Sequence, residues 1–337
     1  MPRIKPKVLV LAHGELFRDL FTDRVRRELE RFADARYNDL GRNLTEAELR
    51  ERAAEAVGCI TTWGSPRFTP EVVAAAPNLK IIAHAAGTVK PFVSEAVFER
   101  GIVVTSAAPV IARYVGEMAL AVTLASLRDL ARHDRVLKEG HGWDDPSVGS
   151  PRTLLEQRVG LIGFGSTGRE FARLLRPFKA TLLIHDPHVE PAVMAKFGGK
   201  AASLEQILTT CRVISLHAAS IPSTRHLLNA ERLRLIPEGS VLVNTARGAL
   251  IDTEALVAEL RTGRFSAALD VFDPQEPLPS DHPLRELPNV ILTPHISGPV
   301  RERYWEMALG AVRNIRLVCA GKTPPGAVTA DQLARLA

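Results

Sequence analysis

The run Val159-Gly160-Leu161-Ile162-Gly163-Phe164-Gly165-Ser166-Thr167-Gly168 constrains this chain more than any other segment. Its first four residues read as a buried strand. They lead into glycines at GxGxxG spacing, and a helical pattern carrying Phe171, Ala172, Leu174 and Leu175 follows. A strand that turns through glycines into a helix gathers backbone N–H groups and the positive end of the helix dipole at one point, which suits a pyrophosphate. The next apolar run, Leu182-Leu183-Ile184-His185, ends in Asp186. A carboxylate there meets the adenosine ribose hydroxyls of a dinucleotide. It also repels a ribose 2′-phosphate, so the expected cofactor is NAD (NADH), with NADP less suited. His185 and His188 flank the acid and can soften that preference.

Around this unit, short apolar runs alternate with amphipathic stretches, the pattern of βα units feeding parallel sheets. The first series of strands is expected at Val8–Ala12, Ala35–Tyr37, Val57–Thr61, Lys80–Ala83 and Ile102–Val104. Thr45, with Glu48 three residues on, marks a helix start by its capping box. One long helix is expected over 109–139, with Val115, Met118, Ala119, Val122 and Leu130 on its buried face. A second series begins at Arg158, with strands near 159–162, 181–184, 212–216, 241–244, 266–269 and 290–292. A helix is expected again from Arg301 onward, before Thr323-Pro324-Pro325-Gly326. The 337 residues exceed the size, about 250–300 residues, at which one core stops growing, so the two series are read as two domains. The fold class is α/β, with two Rossmann-like or flavodoxin-like domains built on parallel sheets.

Charge and cysteines narrow the setting. Lys and Arg total 43 against 38 Asp and Glu, giving +5, but the basic residues are scattered, so no nucleic-acid partner is expected. Cys59, Cys211 and Cys319 form no CxxC pair, which argues against a metal site or a disulfide framework and for a reducing compartment. The opening Met1-Pro2-Arg3-Ile4-Lys5-Pro6-Lys7 lacks the apolar stretch of a signal peptide. No run of about 18 uninterrupted apolar residues suggests a membrane span. A cytoplasmic location without a membrane partner is expected.

Three strands of the second series end in chemistry-bearing residues. Val241-Leu242-Val243-Asn244-Thr245-Ala246 leads to Arg247-Gly248; Ala267-Ala268-Leu269 leads to Asp270, with Glu276 shortly after; Ile291-Leu292-Thr293-Pro294 leads to His295. Open α/β sheets bind ligands at the carboxyl ends of their strands. Arg247 can hold a carboxylate through two parallel bonds and polarise a neighbouring carbonyl. His295 can give a proton to the oxygen as hydride reaches the carbon, or remove it in reverse. Glu276 beside the ring would orient it and stabilise the imidazolium.

In these segments the chain resembles the D-isomer-specific 2-hydroxyacid dehydrogenases. The matching pieces are Gly-Phe-Gly-Ser-Thr-Gly at 163–168, Ile-Ser-Leu-His at 214–217, Asn-Thr-Ala-Arg-Gly at 244–248, Leu-Asp-Val-Phe at 269–272 and Thr-Pro-His at 293–295. Their order and spacing match over nearly the whole chain. The resemblance implies hydride transfer between NAD(H) and a small 2-hydroxy or 2-oxo acid, with Arg247, Glu276 and His295 catalytic. It implies that His217, Thr245, Ala246, Arg247, Asp270 and His295 join the glycine loop and Asp186 around the cofactor, Asp270 toward the nicotinamide carboxamide. It places the substrate carboxylate on Ala86-Gly87-Thr88 as well as Arg247. It implies a discontinuous substrate domain, 1–108 with 300–337, an inserted dinucleotide domain, 109–299, an active site in the cleft between them, and a homodimer built through the inserted domain and long helix.

Several residues depart from the family pattern. Gln275 stands where the family usually has Glu, and Glu276 follows one residue later; a loop one residue longer still presents Glu276, the alternative being a loop charge in the Pro-rich stretch 273–283. Lys90 stands where an Asp is common, and Met118 where a His is common. These changes leave the identity of the acid open. His84 is either a substrate contact or a hydrogen-bonded strand-end histidine, and Trp63 either lines a pocket or packs. Tyr304 and Trp305 are expected to pack the terminal helix, and Cys211 to be a buried small side chain. Two other functions fit the same residues: an NAD(H)-sensing binding protein like the corepressors of this family, and a same-fold dehydrogenase for formate or a phosphorus oxyacid.

Overall fold

Val8 and Val10 pack into one apolar cluster, while Leu9 and Leu11 between them pack into another. The same alternation recurs further on, where Ile214, Leu216 and Leu242 face one core and Val213, Val241 and Val243 the opposite one. Side chains of a strand point to alternate faces, so continuous apolar runs of this kind fit only sheets covered on both sides. That requirement produces the α/β layers of the computed structural model, which describes residues 5–141, 143 and 149–333. Residues 1–4 of the opening segment lie outside the described residues, as do 334–337 at the other end.

The strands in chain order are β1 (Lys7–Val10), β2 (Asp34–Tyr37), β3 (Gly58–Thr61), β4 (Ile81–His84), β5 (Val103–Ser106), β6 (Arg158–Ile162) and β7 (Thr181–His185). They continue with β8 (Gly199–Ala201), β9 (Val213–Leu216), β10 (Val241–Asn244), β11 (Ser266–Leu269), β12 (Val290–Leu292) and β13 (Ala327–Val328). The chain divides into two compact units, Met1–Ile111 with Pro299–Ala337, and Ala112–Gly298.

The first unit holds a six-stranded sheet in the order β13-β5-β4-β3-β1-β2, parallel except for β13. Without β13 this is the flavodoxin-like order. The helix Trp305–Cys319 returns from the C-terminal segment and buries Met307, Ala308, Ala311, Val312 and Ile315 in the cluster that holds Val8 and Val10. Val110 and Ile111 pack against the same cluster. Thr45 and Glu48 form the expected capping box ahead of the helix Glu46–Arg52.

The second unit holds a seven-stranded parallel sheet in the order β12-β11-β10-β9-β6-β7-β8, the doubly wound dinucleotide arrangement. Its order reverses beside β6, so the crevice opens where the glycine loop leaves that strand. The long helix expected over 109–139 is broken: Ala108–Leu127 and Leu130–Lys138 are separate helices, with Asp129 at φ +49° between them. Leu-Arg-Asp-Leu contains neither Gly nor Pro, so the sequence does not announce this left-handed joint. Burial raises the Asp129 carboxyl above its ordinary range.

His84 closes β4 at 2% exposure, its Nδ1 2.8 Å from Thr61 Oγ1 and its ring tilted against Phe92. Burial lowers its pKa from 6.5 to about 4. Between those values the unfolded chain binds a proton that the folded chain refuses, so the neutral ring makes stability fall as pH drops through that window. We predict that His84→Gln flattens the dependence of equilibrium unfolding free energy on pH between 6.5 and 4 by about one proton. An unchanged slope would show that His84 is not held neutral.

Candidate active site

The cofactor cradle is built at the end of β6. Gly163 has φ +92°, and a Cβ there would run into the backbone of His217 and Ala218. Only glycine lets the loop lie flat against the chain leaving β9. At Gly165 an added Cβ would meet nothing within 4 Å. Gly165 precedes the helix Ser166–Leu175 and provides no side-chain cap. The N–H groups of Ser166, Thr167 and Gly168 find no acceptor among the described residues. Open space in front of free N–H groups fits a pyrophosphate.

Asp186 stands beside this cradle and is locked to it. Its Oδ2 accepts the Phe164 N–H at 2.7 Å and its Oδ1 the His188 N–H at 2.9 Å. Each oxygen keeps a lone pair for a ribose hydroxyl. His185 turns away, its Nδ1 lying 3.3 Å from the Ala202 carbonyl oxygen.

Further along the crevice, buried polar atoms lack partners among the described residues. They include both ring nitrogens of His217 and the hydroxyls of Thr245 and Ser297. His217 keeps some exposed carbon surface, but its nitrogens are shielded, and burial lowers its pKa to about 3. Groups of this kind are rarely left unpaired in a folded protein unless something else completes them. Their position past β9, β10 and β12 suits the nicotinamide half of the dinucleotide, so the residues present fit the cofactor that the glycine loop implies.

Asn244 shapes the turn that carries Arg247. Its Oδ1 accepts the Ala246 N–H at 3.0 Å and its Nδ2 donates to the Arg247 carbonyl at 2.9 Å. The sequence signal for this brace is an Asn at a strand end, where its amide can close a turn on its own backbone. Gly248 then passes so close to Phe272 and Asp273 that any Cβ would strike their backbone. This approach brings Arg247 toward the loop that carries Glu276. Burial pushes the Arg247 guanidinium below its usual range, and the negative charge of Glu276 opposes that shift. Arg247 Nη1 donates to the Ala246 carbonyl at 2.7 Å, and among the described residues no carboxylate pairs with the guanidinium.

Asp270 organises the third strand end. At 2% exposure its Oδ1 accepts from Thr293 Oγ1 at 2.5 Å and from the Ile296 N–H at 2.9 Å. Its Oδ2 accepts the Ser297 N–H at 2.8 Å. These bonds hold the turn in which His295 adopts φ +54°, a left-handed conformation uncommon outside glycine.

Glu276 reaches this turn in spite of its shifted position. Its Oε1 accepts the Phe272 N–H at 2.8 Å, and its Oε2 lies 2.7 Å from His295 Nδ1. The backbone anchor at Phe272 fixes the carboxylate, so the extra residue, Gln275, is absorbed within the loop. With Nδ1–H donating to Glu276, Nε2 is left for proton exchange. The structure therefore brings Glu276, His295 and Asp270 together, with Arg247 close enough to Glu276 to feel its charge.

In the first unit, Ala86-Gly87-Thr88 follows β4. The N–H groups of all three find no acceptor among the described residues. Successive free N–H groups form a concavity suited to an anion.

Comparison with known proteins places these features in a family. Residues 120–297 match the model of the D-isomer specific 2-hydroxyacid dehydrogenase, NAD binding domain. The chain is 36% identical over 292 residues to a glyoxylate reductase of Thermofilum pendens, covering 84% of this chain and 83% of that protein. It is 36% identical over 262 residues to a D-3-phosphoglycerate dehydrogenase of Mycobacterium leprae, covering 77% of this chain but only 49% of that longer one. Among solved structures, a phosphoglycerate oxidoreductase from Rhizobium etli superposes with a TM-score of 0.83 at 27% identity, covering 97% of this chain and 98% of that one. The chain belongs to the D-isomer specific 2-hydroxyacid dehydrogenase family, and 120–297 is its NAD-binding domain.

Proposed function

We propose that this NAD-dependent 2-hydroxyacid oxidoreductase works through Arg247, Glu276 and His295 and reduces 2-oxo acids. The observation that carries the reading is the 2.7 Å contact between His295 Nδ1 and Glu276, made in a turn fixed by Asp270 beside the cofactor crevice. A nicotinamide cofactor held by the glycine loop at 163–168 and Asp186 would supply the hydride chemistry. His295 Nε2 hands a proton to the substrate oxygen while Glu276 stabilises the ring's charge through Nδ1. Arg247, desolvated and without a carboxylate partner, polarises the carbonyl and grips the carboxylate. The free N–H groups of Ala86, Gly87 and Thr88 suit a carboxylate, the part of the substrate that the family resemblance assigns to them.

The readings as a cofactor sensor, or as an enzyme of formate or a phosphorus oxyacid, are not favoured. Relatives that match 84% of this chain are named as glyoxylate reductases and as a D-3-phosphoglycerate dehydrogenase, both of which act on 2-hydroxy or 2-oxo acids. NADH oxidation with glyoxylate, hydroxypyruvate, pyruvate and phenylpyruvate tests the activity. Turnover with at least one is expected, and tight NADH binding without turnover on any would return the sensor reading.

The assembly proposed is a homodimer. The helix Ala108–Leu127 is long and apolar enough to span a membrane by composition, at a mean hydropathy of 1.5, yet only 39% of that stretch is buried. The next helix exposes Leu130 at 56% and Leu137 at 49%, and Trp143 follows at 88%. A second copy of the chain covers such a face without requiring a bilayer. Cys59, Cys211 and Cys319 are free thiols, which supports a cytoplasmic setting. Dispersed charge supports neither a nucleic acid nor a membrane as partner.

Three outcomes follow. His295→Ala should lower kcat by about 100–10,000-fold while NADH affinity changes little, because proton transfer is removed and cofactor contacts stay; equal losses in both would contradict the role. Arg247→Lys should lower kcat/KM by about 100-fold, since a point charge cannot reproduce the planar fork; steady-state kinetics showing near-normal values would refute it. Leu130→Glu combined with Leu137→Glu should halve the mass measured by sedimentation, and a wild type sedimenting as a monomer would remove the dimer.

A further inference from the structure

The carboxyl ends of β1, β3 and β4 release three loops side by side. Parallel register pairs Val10 with Ile60 and Thr61 with His84. His13, Trp63 and the Ala86-Gly87-Thr88 loop therefore emerge on one edge of the first unit's sheet, strand beside strand. That edge carries the proposed carboxylate cradle, so its other side chains surround whatever extends from the acid's reacting end.

Four of those side chains form a continuous patch. His13 Nε2 lies 3.1 Å from Asn43 Oδ1. The Asn43 amide packs onto Gly64, whose φ of +76° and lack of Cβ make room for it. Trp63, next in sequence, is 44% exposed, and its ring centroid lies 5.7 Å from that of Tyr304 at an interplanar angle of 49°. The bond to Asn43 makes Nε2 the protonated nitrogen of His13 and leaves Nδ1 a bare acceptor. Nδ1 is buried and finds no partner among the described residues. The Asn43 amide nitrogen and the Tyr304 hydroxyl likewise find no partner among the described residues.

An open aromatic face rimmed by unpaired, uncharged hydrogen-bonding groups suits one kind of ligand. Its C–H surface lies on the indole, and its hydroxyls meet an amide held by His13 and a phenol. The flanking arginines are already engaged. Arg42 binds Glu48 through two nitrogens at 2.7 and 2.9 Å, and Arg301 pairs with Glu15 and Asp19. Neither is available to a phosphate.

We infer that His13, Asn43, Trp63 and Tyr304 form the specificity site for the substrate's tail, and that this tail is an uncharged, hydroxylated carbon chain of a sugar-derived 2-oxo acid. The inference rests on the dehydrogenase reading proposed above and names its substrate class. A purely apolar tail would leave the Asn43 amide nitrogen and the Tyr304 hydroxyl dry and unpaired, a loss by which a pocket discriminates strongly.

The test is NADH oxidation by the full chain with glyoxylate, 2-oxogluconate, phenylpyruvate and 3-phosphohydroxypyruvate. The expected order places 2-oxogluconate above phenylpyruvate and the phosphorylated acid in kcat/KM. Trp63→Ala and Asn43→Ala should each lower the ratio of kcat/KM for 2-oxogluconate over that for glyoxylate by about tenfold, acting mainly through KM. A wild type that prefers phenylpyruvate or the phosphorylated acid would overturn the inference, as would variants that lower both kcat/KM values equally. Turnover of glyoxylate in those cases would leave the dehydrogenase reading standing. Silence toward every acid, glyoxylate included, would overturn both.

Discussion

The carboxylate of Asp270 is the point on which the site depends. A buried carboxylate is unfavourable unless its lone pairs are met, and here three donors from one turn meet them: Thr293 Oγ1, Ile296 N–H and Ser297 N–H. The same bonds hold His295 in a left-handed backbone conformation that a β-carbon disfavours. Asp270 itself is fixed by the sheet, since its N–H donates to the Asn244 carbonyl at 3.0 Å. One short stretch of β11 thus links the turn bearing His295 to the strand end bearing Arg247. The sheet's pairing register is carried directly into the spacing of the reactive groups.

Environment then sorts the histidines. The His84 side chain and the ring nitrogens of His217 are shielded from solvent and held neutral, with pKa values lowered to about 4 and about 3. A neutral ring keeps a fixed donor and a fixed acceptor across ordinary pH, which suits a group that shapes a pocket or meets an uncharged ligand. His295 differs in kind: its side chain is 52% exposed and bonded to a carboxylate through Nδ1. The proton-transfer role proposed for His295 needs access and a charge partner, and the side chain has both.

Much of this was legible in the sequence. Alternating apolar runs specified parallel sheets because nothing else buries both faces of such strands, and the glycine loop with Asp186 specified the switch point of the second sheet. Residues at strand ends, Arg247, Asp270 and His295, stand out as candidates because that is where such sheets hold ligands. What escaped was set by local backbone geometry that residue type does not announce. The joint at Asp129 breaks a helix without Gly or Pro, and the short edge strands β8 and β13 carry too few residues to show a period. The reach of Glu276 depended on an anchor at the Phe272 N–H, and the link from His13 to Asn43 joins loops that no motif connects.

Asp270 also separates two accounts of its own role. The family resemblance assigns it to the nicotinamide carboxamide, whereas its three hydrogen bonds assign it to the presentation of His295. The most direct measurement is kcat for 2-oxo acid reduction by Asp270→Asn at saturating NADH. Asn keeps one acceptor oxygen but sets an NH2 against the Ser297 N–H, so the turn loosens without loss of volume. The account predicts that kcat falls by at least about 100-fold, toward the level of a variant lacking the imidazole. A kcat near wild type, with only the KM for NADH raised, would contradict it and leave Asp270 as a cofactor contact alone.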